Sequence, residues 1–410
     1  MSTPRVVVTG VGTVNPIGNT VPEFWKNAVA GKSGIGYMTR FDASNFYVKV
    51  AGEVKGFDAS AHMDPKVADR NPRAVHFGLA AAREAVVQAG IDMSREIPER
   101  VGVCIGCMSE SDYIVRQAQI LERRGARRVD PLFVARSGPS APAMQIGMVY
   151  QARGPNSSPN SLCATGTDAI GTAMNFIKLG YADVMIAGGT DSCLSPLGVA
   201  GLDILGAVTR EPDPAVACRP FDAERSGFVF GEGAGIVILE SLEHAKARGA
   251  EILVELAGAG WSFDAYDQTA PAPEAEAYAM RFAMNQAQVD PTGVAYVNAH
   301  GTSTRLNDPT ETQALKIAFG DHAYKLAISS TKSLVGHAIT ASGAVESIAA
   351  IMTVATDTIH PTINYRTPDP ECDLDYVPNT AREATVDVCL TNSFGLGGEN
   401  CCLVFSKYKA

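Results

Sequence analysis

The sequence predicts an α/β fold laid out twice along one chain, and three observations predict it. Short β-branched runs that end in glycine, of which Val6-Val7-Val8-Thr9-Gly10 is the first, lead into stretches with apolar residues at helical spacing. Strand and helix patterns then alternate through the chain. From residue 252 the order begins again, a weak internal duplication carried by pattern and not by residue identity.

The first unit, residues 1–251, opens with the Val6 run and a helix around Phe24 to Val29. Gly10 and Gly12 lack the third glycine of a dinucleotide loop, and Asn15-Pro16 interrupts the turn, so no dinucleotide site is read there. Residues 34 to 70 are irregular and carry Lys66 and Arg70 just ahead of a helix from about Arg73 to Gly90, whose apolar face is Ala74, Phe77, Ala81, Ala85 and Val86. A strand at Val101 to Gly106 and a helix at Tyr113 to Arg124 follow. Residues 125 to 160 hold Arg127, Arg128 and prolines from Pro131 to Pro159, and read as loops of the kind that form interfaces or sites. Ala182 to Gly189 is a buried strand. The glycine-rich segment 221–235 leads into a strand at Ile236 to Glu240; its Asp222, Glu224 and Arg225 read as structural ion pairs. The second unit, residues 252–410, has strands at Ile252 to Leu256, Val294 to Asn298, Val386 to Leu390 and Cys401 to Phe405. Its helices span Glu274 to Gln288, Asp308 to Phe319, and an amphipathic stretch within Val335 to Met352.

Composition excludes several function classes. With 34 basic and 44 acidic residues the formal charge is -10, which disfavours nonspecific nucleic-acid binding as the main task. Nine scattered cysteines and no apolar signal core after Met1-Ser2-Thr3-Pro4 predict free thiols in a reducing compartment, the cytoplasm. No run approaches the ~18–20 continuous apolar residues of a membrane span. Cys104-Ile105-Gly106-Cys107 has CxxC spacing but no second ligand pair, and Cys401-Cys402 lies in a terminal apolar strand, so both read as structural and no metal site is expected.

The chemistry gathers around Asn160 to Gly171, where small residues place Cys163 at or near the start of a helix whose apolar face is Ala169, Ile170, Ala173, Met174, Phe176 and Ile177. Unpaired N–H groups and the positive dipole end there favour a thiolate. A buried structural thiol is the commoner fate of a cysteine, so other segments must decide. Three stand out, each after a strand end: Asn298 to Thr304, Ser330 to His337 and Asn392 to Asn400. They supply His300, His337 and, five residues before the latter, Lys332.

Those residues carry a resemblance over nearly the whole chain. Cys163-Ala164-Thr165-Gly166, Arg225 to Gly235, His300-Gly301-Thr302-Ser303-Thr304, Thr331-Lys332-Ser333 with Gly336-His337, and Asn392-Ser393-Phe394-Gly395 stand in the order seen in the β-ketoacyl-[acyl-carrier-protein] synthases of the thiolase superfamily, which the sequence resembles. The resemblance implies a duplicated five-layer αβαβα fold and a homodimer or ketosynthase heterodimer. It implies a decarboxylative condensation of malonyl-carrier with an acyl primer held on Cys163, in fatty acid or polyketide elongation, with His300 and His337 holding the enolate oxygen. Lys332 and Glu346 resemble a charge pair that positions His337, and the loop with Phe394 and Leu396 matches an oxyanion and gating segment. Thr302 and Thr304 match contacts to the phosphopantetheine arm of an acyl carrier protein, the substrate arm; no bound cofactor is implied. Lys66 and Arg70 are candidates for a basic docking patch, against the plainer reading of solvated charges.

Departures from the family pattern bear on substrate: Leu396 stands where phenylalanine is common, Glu399 where threonine is, and Asp267, Leu202, Ser109 and Glu110 also differ. They point to a specialised pathway. A noncatalytic, chain-length-determining partner subunit is the alternative function, weakened by the presence of Cys163, His300, Lys332 and His337; a thiolase would carry a second cysteine near its end instead.

Overall fold

The computed structural model describes residues 4–409. Ten strands form the main sheet: β1 (Val6–Val14), β2 (Val101–Gly106), β3 (Asn156–Ser157), β4 (Val184–Asp191), β5 (Gly233–Ser241), β6 (Val254–Phe263), β7 (Tyr296–Asn298), β8 (Ala327–Ser329), β9 (Val388–Phe394) and β10 (Glu399–Ser406). Their order is β8-β7-β9-β10-β6-β1-β5-β4-β2-β3. Outward from the β1/β6 seam, each leaf presents the first, fifth, fourth, second and third strand of its own half. The first–fifth and fifth–fourth pairings are antiparallel and the other two parallel, in both leaves. The seam is short: Val7 faces Glu255 and Val8 faces Val254.

Helices complete a five-layer αβαβα arrangement. α1 (Arg73–Ala89) packs on the first leaf; α2 (Thr165–Lys178) and α5 (Ser342–Thr356) touch strands of both leaves; α3 (Pro273–Ala287) packs on the second leaf, with α4 (Asn307–Phe319) against it. All nine residues of β1 are buried, so its sequence shows no alternation: the strand is covered on both faces.

The sheet explains a sequence signal that had no nucleotide to serve. A Cβ at Gly10 would lie 2.2 Å from the carbonyl oxygen of Ala85, and one at Gly12 2.0 Å from that of Ala81, so the pair lets α1 lie directly on β1. The second leaf repeats the device: a Cβ at Gly258 would stand 2.3 Å from the Ala283 oxygen, and at Gly260 2.1 Å from the Ala279 oxygen. The duplication thus reaches individual residues.

Several expected elements differ. Residues 125–160 are not all loop: Phe133–Ser137 and Ala141–Tyr150 are helical, and Pro142 sits in the first turn, where its missing N–H costs no bond. Lys66 and Arg70 lie within a short helix, Pro65–Arg70, and not in irregular chain ahead of one. The stretch expected to be amphipathic is α5, buried nearly all round because it fills the middle layer. The window Ile339–Thr356 is long and apolar enough to cross a membrane, but 83% of it is buried inside the protein, as a core helix would be. Arg225 does pair, although with Asp369 and Asp308, while Asp222 accepts the backbone N–H groups of Arg366 and Thr367.

Candidate active site

Two elements meet at the nucleophile. Leu162 to Ala164 form a single 3₁₀ turn that runs into α2, so Cys163 sits one turn ahead of the helix proper. Leu162 has φ of 50°, a left-handed conformation that a branched side chain rarely takes and that stores about 1–3 kcal/mol. Beneath it Ser161 is tied down: its backbone N–H donates to Thr165 Oγ1 at 2.8 Å and its hydroxyl to Asp168 at 3.0 Å, and Asp168 also accepts the indole N–H of Trp261 at 3.0 Å.

Facing this turn are the chain segments that leave the carboxyl ends of β7, β8 and β9. One cavity of about 930 Å³ is lined by Cys163, His300, His337, Phe394 and Leu396, with Thr302 and Thr304 farther along it. The two imidazoles lie edge to face, ring centroids 5.5 Å apart and planes at 87°. Gly301 at φ 38° turns the chain directly after His300, and Gly336 at φ 76° does so directly before His337. Thr302 and Thr304 join hydroxyls at 2.9 Å.

Behind His300 lies Lys332, fully buried. Its ammonium meets Glu346 Oε1 at 2.6 Å, the His300 carbonyl at 2.7 Å and His300 Nδ1 at 3.1 Å. An ammonium only donates, so His300 Nδ1 accepts and the ring proton resides on Nε2. The Lys332–Glu346 pair therefore braces His300; the expectation that it positions His337 is corrected. His337 Nδ1 instead lies 2.8 Å from Ser342 Oγ. Burial first, then the nearby Lys332 charge, hold both histidines well below the usual pKa, so both are neutral.

The thiol departs from expectation in the same way. Burial pushes Cys163 up to about 11, against the opposing pull of a backbone hydrogen bond from Leu396 and the Lys332 charge. Desolvation is the largest influence, and the helix proper starts two residues later, at Thr165.

Other expected residues fall outside the cavity. Glu399 does not line it and is half-buried, its pKa raised by burial and by Asp168. Glu110 is buried beneath the start of α1, where it accepts the Ala74 N–H at 3.0 Å; Leu202 and Ser109 are not lining residues, whereas Asp267 is. Lys66 and Arg70 are exposed and lie away from the lining.

Sequence reading missed Glu311, which accepts the N–H groups of His300 and Gly301 at 2.8 and 2.7 Å from inside α4. Burial raises it to about 7. Its signal was an acidic residue on the apolar side of a helix. Arg210, Arg219 and Arg305, which also line the cavity, were missed too.

Residues 3–245 match the beta-ketoacyl synthase N-terminal domain and residues 253–366 the corresponding C-terminal domain. The chain belongs to the β-ketoacyl synthase family. Among relatives, the 3-oxoacyl-[acyl-carrier-protein] synthase 2 of a Synechocystis species is 45% identical over 99% of this chain and 98% of its own length. That of Staphylococcus aureus is 43% identical over 99% of both. Solved β-ketoacyl synthase structures show the same fold. A type II polyketide ketosynthase in complex with its acyl-carrier protein superposes with a TM-score of 0.90 at 35% identity over the full length of both chains. The ishigamide ketosynthase/chain length factor does so at 0.92 and 34%, over 100% of both.

Proposed function

We propose that this β-ketoacyl synthase condenses malonyl-carrier with an acyl primer held as a thioester on Cys163, as a 3-oxoacyl-[acyl-carrier-protein] synthase. The observation that carries the reading is the shared cavity: one thiol, two neutral imidazoles that reach it, and a buried ammonium directed at one of them.

In the first half-reaction the Cys163 sulfur attacks the acyl thioester of the carrier arm. The carrier sulfur leaves with the proton that Cys163 gives up. In the second, the bond between the malonyl methylene carbon and its carboxylate breaks, carbon dioxide departs, and the electron pair forms an enolate. N–H groups of His300 and His337 hold that oxygen; neutral rings do so without taking a positive charge into a dry site. The carbanion then attacks the Cys163 thioester carbon. Backbone N–H groups of Cys163 and Leu396 hold the tetrahedral oxygen, and collapse expels the Cys163 thiolate, leaving 3-oxoacyl-carrier. Losing one such donor typically costs on the order of 100-fold or more in rate. Glu346 holds Lys332 Nζ in place, and Phe394 and Leu396 form the cavity wall beside the thiol.

The phosphopantetheine of an acyl carrier protein enters past Thr302 and Thr304, and no bound cofactor takes part in this scheme. Lys66 and Arg70 are kept as contributors to carrier docking, residues 1–251 and 252–410 as the two repeats, and a homodimer or ketosynthase heterodimer as the working assembly. Nine free thiols suit the reducing cytoplasm. Incubation with malonyl-carrier and a ladder of acyl-carriers, read by intact mass, tests the proposal. Acyl adducts on Cys163 and carrier gaining a 3-oxoacyl chain support it; neither acyl transfer nor decarboxylation with any primer refutes it. Activity that appears only beside a homologous subunit assigns the heterodimer.

A further inference from the structure

The condensing reaction needs the His337 proton on the ring nitrogen that faces the enolate, and nothing so far accounts for its being there. For His300 the tautomer is fixed by an ammonium that can only donate to Nδ1. His337 has no such neighbour on Nδ1. Among the described residues, its ring makes one hydrogen bond, between Nδ1 and Ser342 Oγ at 2.8 Å.

We propose that Ser342 is the residue that positions the His337 proton: its hydroxyl donates to Nδ1 and so keeps the proton on Nε2, toward the cavity. Four observations support this. Ser342 is the first residue of α5, one past the N-cap Ala341, and among the described residues its hydroxyl bonds no backbone N–H. Ser342 is 3% exposed, and among the described residues its hydroxyl has no hydrogen-bond partner other than His337. The His337 backbone is already fixed, its N–H donating to Val229 at 2.7 Å and its carbonyl accepting from Gly231 at 2.8 Å. Phe228, 5.1 Å away and nearly perpendicular, and His300 bracket the ring. What remains unset without the hydroxyl is ring protonation and not loop position. The positive end of α5 also opposes a second proton on the ring.

Ser342 acts through His337 and touches no reacting atom, and its role rests on the condensing reading above. Ser342→Ala and Ser342→Thr decide it, with two readouts. The first is the split between half-reactions. Loss of the hydroxyl should slow malonyl-carrier decarboxylation on the order of tenfold, while acyl transfer to Cys163 stays within about twofold. The second is the tautomer, read by nitrogen-15 NMR of histidine-labelled protein, with the His337 signals assigned by a His337→Gln spectrum. Wild type should show Nε2–H, Ser342→Ala a shift toward Nδ1–H, and Ser342→Thr, which keeps a hydroxyl, a return toward wild type in both readouts. An unchanged His337 tautomer in Ser342→Ala, or equal loss of both half-reactions, overturns the proposal. A wild-type enzyme that decarboxylates nothing would instead sink the condensing reading, and the NMR comparison would still decide whether Ser342 sets the ring.

Discussion

Replacing Lys332 by methionine isolates the energetics of the buried charge. Its ammonium is fully buried and uses all three N–H groups, one on Glu346 and two on His300. Among the described residues Glu346 Oε2 has no hydrogen-bond partner, so the carboxylate depends on Lys332 for most of its stabilisation. Removing one member of such a pair typically costs about 3–5 kcal/mol, much of it the penalty of the orphaned charge. In Lys332→Met/Glu346→Leu the orphan is gone and only the His300 acceptors lose a donor, about 1–3 kcal/mol. The double variant should therefore be more stable than the single. Burial raises the Glu346 pKa even beside Lys332, and without the ammonium it rises further. A raised folded-state value contributes stability below the ordinary carboxylate value of 4.5 and loses it as pH climbs through the folded value. The single variant should thus lose stability as pH rises from 4.5 to the folded value and level off beyond it, more than wild type does, while the double variant, which has no carboxyl there, shows no such loss. Urea unfolding followed by circular dichroism across pH 5 to 8 reads both effects. A double variant no more stable than Lys332→Met at pH 7 would refute the orphaned-charge account.

Further outcomes follow from other sites. Because the Cys163 thiol stands at about 11, its alkylation by iodoacetamide should still accelerate above pH 9, and Lys332→Met should shift the rise higher; a plateau at neutral pH would contradict this. A Cβ at Gly343 would sit 2.0 Å from Thr167 Oγ1 at the α2–α5 crossing, so Gly343→Ala should lower stability by about 1–3 kcal/mol or more, read as the urea midpoint. His244 bridges Glu240 at 2.6 Å and Glu96 at 2.9 Å, and its pKa is raised, chiefly by the Glu240 bond. That stabilisation is full below 6.5 and is lost as pH rises through the folded value, so His244→Gln should cost more at pH 6 than at pH 9. Leu396→Phe should change the preferred acyl length more than total condensation in the primer ladder, since Leu396 lines the cavity beside Cys163.

The fold was legible where local pattern and burial agree. Short β-branched runs and the return of the order at residue 252 pointed to α/β layers, and the resemblance carried by the motifs implied that Cys163, His300 and His337 share a site, as one cavity shows. Legibility failed where long-range packing chose the outcome. Pro142 suggested loop, yet a first-turn proline is neutral to a helix. The α5 sequence shows polar residues that suggest a wet face, but Ser347, Thr353 and Glu346 are all buried in the middle layer. Which histidine Lys332 serves depends on chain crossings that spacing does not encode. Glu399 follows the gating loop closely, which suggests a negative charge near the pantetheine path; it starts β10, whose pleat directs alternate side chains away, and it does not line the cavity.

The strand order also sets a timetable for synthesis. β1 pairs with β5 in a register that joins Val6 to Ser241, and β6 with β10 in one that joins Glu255 to Ser406. Each leaf therefore closes by uniting its earliest strand with its latest. At about 5–20 residues per second, β1 waits roughly 10–50 seconds on the ribosome for its partner to emerge. During that interval a strand that ends fully buried has no antiparallel neighbour, and the nascent chain is exposed to chaperones and to other chains. The second leaf must wait for Ser406, so the cavity, lined by residues of both halves, forms only after that strand has emerged.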